Sequence, residues 1–154
     1  MQNIGKYIFL LIFCNSLSFA GLFESSNIWK NGTIESKEYN TLSATLYVGG
    51  DNKIRVGISM HSDDCRRFED DVYETGTMKF NGTLVKMFAQ CVGNNERMDF
   101  PQTYNGNNFL VNEFDTKRNV VAAQDDITFT FSTNGFREEY KRVRDSAVAE
   151  ANAI

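Results

Sequence analysis

The sequence predicts a mainly β domain of the α+β kind: an antiparallel sheet or sandwich of six to eight strands, with one C-terminal amphipathic helix and one disulfide. Three observations predict it. Apolar and polar residues alternate with period two in several short runs. Gly- and Asn-rich clusters separate those runs, and helical spacing takes over only after Gly135.

Taken in order, Leu42, Ala44, Leu46 and Val48 alternate with Ser43, Thr45 and Tyr47, the pattern of a strand with one buried face. After the turn cluster Gly49 to Lys53, Ile54, Val56, Ile58 and Met60 alternate with Arg55, Gly57 and Ser59, so the two runs predict a hairpin. Asn81-Gly82 predicts a second hairpin, because both residues tolerate the positive φ of a type I′ turn. Thr77 to Phe80 enters it and Thr83 to Val92 leaves it, with Val85, Met87, Ala89 and Cys91 sharing one face. Further strands are expected at Arg97 to Phe100, Phe109 to Phe114, Asn119 to Ala123 and Ile127 to Ser132. Pro101 to Phe109 is expected as a polar loop. In the last segment Phe136, Tyr140, Val143, Ala147 and Ala151 form one helical stripe. Glu138 and Glu139 precede Lys141, Arg142 and Arg144 there, the order the helix dipole favours. Trp29 is expected in the core.

Residues 1–20 carry the marks of a cleaved export signal: Lys6 supplies the positive charge, Tyr7 to Cys14 the apolar run, Ser18 and Ala20 the small residues at the cleavage point. The run is far shorter than the roughly 20 residues that span a bilayer. No stable membrane insertion is expected, and residues 21–154 form a single β-rich domain in the periplasm or outside the cell. Leu11-Ile12-Phe13-Cys14 loosely resembles a lipoprotein cleavage box, but bulky Phe13 stands where a small residue belongs, which favours soluble release. Cys65 and Cys91 are the only cysteines beyond the signal, and in an oxidising compartment such a pair forms a disulfide. Closing that loop stabilises a fold by about 3 kcal/mol on the chain-entropy model. A catalytic Cys65 assisted by His61 would need a free thiolate where thiols are oxidised.

The net charge of −4, which becomes −5 once a signal holding Lys6 as its only charge is removed, excludes the footprint of a nucleic-acid binder. Charge concentrates in residues 63–74, where six acids and two arginines surround Phe68 and Tyr73. With a disulfide tethering this charged loop, Phe68, Glu69, Asp70, Asp71 and Tyr73 compose a rim-and-anchor surface for a protein partner. The loop lacks the EF-hand order needed for calcium, and its acid pairs are unspecific as a glycosidase signal. His61, the single histidine, lies among Ser59, Asp63 and Asp64, but neighbours on one segment point apart and cannot compose a triad. One histidine and a bonded cysteine pair also cannot supply a zinc site, so no metal and no cofactor are expected. Tyr104 and Phe109 are the aromatics of the polar loop, suited to sugar or protein contacts. Asn31-Gly32-Thr33 and Asn81-Gly82-Thr83 match glycosylation acceptors, relevant in a eukaryotic secretory pathway. No Walker loop, nucleophile elbow, dinucleotide fingerprint or zincin helix occurs.

These features point to a non-catalytic exported protein that binds another protein, such as a toxin, a hydrolase or an envelope component. Its most concrete form is an immunity or inhibitor protein. The alternatives are a small-ligand or carbohydrate-binding module using Tyr104, Phe109 or Trp29, and a component of an envelope or secretion assembly. A homo-oligomer is compatible with all of them.

Overall fold

The computed structural model describes residues 27–93 and 95–152, and the signal assigned to residues 1–20 lies outside them. Among these residues the strands are β1 (Thr33–Glu35), β2 (Leu42–Val48), β3 (Ile54–His61), β4 (Phe68–Phe80), β5 (Thr83–Gly93), β6 (Glu96–Pro101), β7 (Asn119–Gln124) and β8 (Ile127–Ser132). Helix α1 (Tyr104–Thr116) follows β6, and α2 (Phe136–Ala151) ends the fold. All strand pairs are antiparallel in one sheet of order β1-β2-β3-β6-β5-β4-β7-β8. The sheet curls until its edges nearly meet. Lys37 N–H donates to the Thr130 carbonyl (2.9 Å), and Thr130 N–H donates to the Glu38 carboxylate (2.6 Å). The result is nearly a barrel, its seam bridged by one main-chain bond and one side-chain bond.

Local chemistry sets the hairpins. Asn81 and Gly82 hold φ of 45° and 90°, as a type I′ turn requires, and Phe80 pairs with Thr83 across them. Asn31 and Gly32 do the same at φ of 54° and 79°, bridging Lys30 to Thr33. Both Asn-Gly-Thr tripeptides therefore begin as turns. The inward faces of the strands bury Ala44, Leu46, Val56, Ile58, Met78, Phe80, Val85, Met87, Val120, Ala122 and Phe131. Trp29 closes this core, its indole N–H donating to the Ser132 carbonyl (3.0 Å). Its ring packs edge-on to Phe114 and Phe136 at 5.3 and 5.1 Å.

Helix α1 corrects the expected loop over Pro101 to Phe109 and the expected strand over Phe109 to Phe114. Thr103 caps it, its hydroxyl accepting from Gly106 N–H (3.0 Å). Asn107, Leu110, Glu113 and Phe114 are buried, a three-and-four spacing that only a helix can point one way. The fold thus has two helices where one was expected. A second correction concerns the charged loop of residues 63–74, whose larger part, from Phe68 onward, extends β4. In α2 the stripe packs with decreasing depth: Phe136 is buried, Tyr140, Val143 and Ala147 are half-buried, and Ala151 is exposed. Glu139 ties that helix to the first turn, accepting from Gly32 N–H (2.7 Å) and from Arg142 (2.7 Å).

Candidate functional site

Strand β4 is the longest in the sheet, and its two ends have different surroundings. At the upper end Lys79 and Phe80 pair with Ala123 and Ala122 of β7, and Asn81 N–H donates to the Val121 carbonyl (2.8 Å). Below Lys79 no described strand lies on that side. Among the described residues, the strand from Phe68 to Thr77 is paired along one side only, to β5. Two register shifts interrupt that ladder, one between Phe68 and Val72 and one between Glu74 and Gly76. The first adds two residues to β4 relative to β5 and the second adds one, and extra residues of this kind increase the local twist of a strand.

This overhang is held from behind by covalent and polar contacts. Cys65 and Cys91 form the expected disulfide, and both are buried. Ser62 N–H donates to the Asn95 carbonyl (2.8 Å), and Cys65 N–H donates to the Ser62 carbonyl (3.1 Å). The segment that delivers the chain into β4 is therefore fixed to the β5–β6 turn. On the inward face, Arg97 donates both arms of its guanidinium to the fully buried Asp99 (2.8 and 3.1 Å) and touches the Met60 sulfur (3.1 Å). Burial raises the Asp99 pKa above the ordinary carboxylate value, and the Arg97 charge only partly offsets it. Register places Tyr73, Ala89 and Asp99 in one row across β4, β5 and β6.

Of the expected site residues, Phe68, Glu69, Asp70, Asp71 and Tyr73 stand together on this overhang. Val72 and Tyr73 are 47% and 43% exposed, and Asp71 and Glu74 beside them are exposed too. Tyr104 and Phe109 lie elsewhere. Tyr104 opens α1, exposed, with the Lys53 ammonium 4.4 Å over its ring, whereas Phe109 packs half-buried against the core. Pro101, which leads into α1, pairs with Met87, while Cys91 pairs with Arg97 at the other end of the same ladder. The two groups of candidates thus occupy opposite ends of the molecule. His61 ends β3 in solvent, with Nε2 3.0 Å from Asp63. No cluster of three or more metal-ligating side chains occurs among the described residues. No helix there is long and apolar enough to cross a membrane.

A groove of about 560 Å³ between α1 and α2 was not legible in the sequence, because α1 was not. Val111, Phe136 and Tyr140 line it with Arg137, Lys141 and Arg144. Its cations are largely answered from within: Arg137 pairs with Asp115 and Lys141 with Asp145, each at 2.6 Å. The overhang, by contrast, presents acids and apolar side chains to solvent together. No family model matches this sequence, and no curated protein or solved structure matches it either.

Proposed function

We propose that this chain is an exported, non-catalytic binding protein that engages another protein through the β4 overhang, most concretely as an immunity or inhibitor protein against a toxin or hydrolase. One observation carries this reading. Val72 and Tyr73 are large, exposed and apolar, they stand among Asp71 and Glu74, and the strand that bears them is anchored by a disulfide. A rigid aromatic anchor loses little conformational entropy on binding, and acids around it steer and select a basic partner. The disulfide is compatible with an oxidising, exported location.

Affinity capture from a periplasmic extract with residues 21–154, followed by titration of the purified captured protein, tests the reading. The double substitution Asp71→Lys and Glu74→Lys should weaken that complex at least tenfold, whereas Lys141→Glu on α2 should leave it unchanged. A mature protein that retains nothing at micromolar concentration, or a complex indifferent to the double charge reversal, removes β4 from the recognition surface.

A further inference from the structure

We infer that the open side of β4 accepts one extended strand from a basic partner protein, bonded main chain to main chain. This rests on the reading that β4 is the recognition surface, and it adds the mode of binding and the chemistry of the partner.

Strand backbone groups alternate between the two sides of a ladder. Asn81 N–H bonds toward β7, so Lys79 and Thr77 point the same way. The bulge between Glu74 and Gly76 adds one residue and shifts the alternation. Below it, the β5 strand fixes the direction: the Lys86 carbonyl accepts from Gln102 N–H on the β6 side, so by alternation Ala89 and its partner Tyr73 face one another, which leaves Glu74 and Val72 pointing outward. The N–H and C=O groups of Val72, Glu74 and Thr77 therefore face the open side. Among the described residues they have no backbone partner there. A strand of about six residues would span them at the usual rise of ~3.3 Å per residue.

The other free edges of this sheet are short or covered. Strand β1 has three residues. Strand β8 is met by Lys37, by the Glu38 carboxylate and by the Trp29 indole. An uncovered edge as long as β4 is a ready template for pairing, and proteins normally blunt such edges with charge, bulges or both. Here the blunting devices have one sign of charge. Antiparallel pairing of β4 with a second copy would set Asp71 and Glu74 near the same acids of that copy, and like charges across a ladder are destabilising. Side chains alternate along the strand, so Val72 and Glu74 share one face and Tyr73 takes the other. A strand with lysine or arginine on the first face and apolar residues on the second meets Glu74 with opposite charge and covers Tyr73. The occupant is thus a basic strand from a different protein.

The test uses residues 21–154 and a synthetic octapeptide alternating valine and lysine, acetylated and amidated at its ends. Controls are the same peptide N-methylated at alternate residues and a valine–glutamate peptide. The valine–lysine peptide should bind and slow amide exchange at Val72, Glu74 and Thr77 at least tenfold, and the valine–glutamate peptide should not. N-methylation, which removes donors and leaves charge intact, should weaken binding at least tenfold. The substitution Glu74→Pro should do the same, since an edge strand tolerates proline where its N–H faces outward. If that variant fails to fold, the methylated peptide still decides the matter on the unaltered protein. Equal binding of the methylated and unmethylated peptides, with no protection of those amides, overturns strand addition and leaves β4 as a side-chain recognition surface. No binding of the valine–lysine peptide at millimolar concentration overturns both. Protection of the same amides by concentration-dependent dimerisation of the protein alone overturns the choice of a different partner.

Discussion

The two ends of β4 belong to one continuous strand but have different neighbours. At the upper end Met78 and Phe80 are fully buried, with β5 on one side and β7 on the other. At the lower end Asp71 to Glu74 are exposed, with β5 alone beside them among the described strands. The chain is continuous, so the difference comes from a neighbour: β7 contributes two residue pairs and stops. Burial at one end fixes where the strand lies, and that placement holds the other end extended without burying it. A binding surface built this way keeps its shape before a partner arrives, which lowers the ordering cost of association.

Truncating each end of β4 in turn separates their contributions most directly. Phe80→Ala removes a buried ring and should cost about 3–5 kcal/mol. Val72→Ala, on the exposed end, should stay within about 0.5 kcal/mol. Denaturant unfolding at equal m-values measures both. A Val72→Ala cost near that of Phe80→Ala would show that the overhang is part of the core.

The disulfide bears unequally on the two ends of β4. Replacing Cys65 and Cys91 together by alanine should cost about 2–4 kcal/mol by releasing a closed loop in the unfolded chain. The loss should also be uneven, because the bridge anchors the lower end of β4 and not the upper. Amide exchange at Asp71 to Thr77 should quicken before exchange at Met78 to Phe80. Uniform quickening along the strand would mean that the whole sheet opens as one unit.

The sequence made the hairpins legible because their causes are local. Alternation in Leu42 to Met60 and the Asn81-Gly82 pair each act within a few residues, and the structure places both as expected. Helix α1 escaped for the opposite reason. Its first turn reads Tyr-Asn-Gly-Asn, which has loop chemistry, and Gly106 stands where a capping box would put glutamate or glutamine. What makes it helical is the burial of Leu110 and Phe114 against strands distant in sequence. Gly106 serves the same packing, since a Cβ there would meet Val85 at 3.1 Å and Pro101 at 3.2 Å. The residues of the overhang were legible as an acidic, aromatic cluster, but their geometry was not. That β4 has an open side depends on where β7 ends, and nothing within residues 68–77 encodes it.

The smallest expected effect is one of slope, and it contrasts a buried carboxyl, Asp99, with a partly exposed one, Glu139. Asp99, behind the overhang, is raised in pKa by burial against the opposing charge of Arg97. The folded state therefore holds that proton more firmly than the unfolded chain. Its contribution to stability is complete below the ordinary aspartate value and is lost as pH rises through the raised one. Glu139, beside the first turn, is lowered by its hydrogen bond from Arg142, helped by the Gly32 N–H. Its contribution is present above the ordinary glutamate value and is lost as pH falls through the lowered one. Unfolding free energies measured from pH 3 to 7 should separate the two. Asp99→Asn should make the stability of the protein rise more steeply with pH, because it removes a group that works against that rise. Glu139→Gln should make the same profile shallower. Parallel profiles for wild type and Asp99→Asn would show that Arg97 compensates the buried charge in full. The pair behind the overhang would then be a neutral strut, with no proton-linked weight in the anchoring of β4.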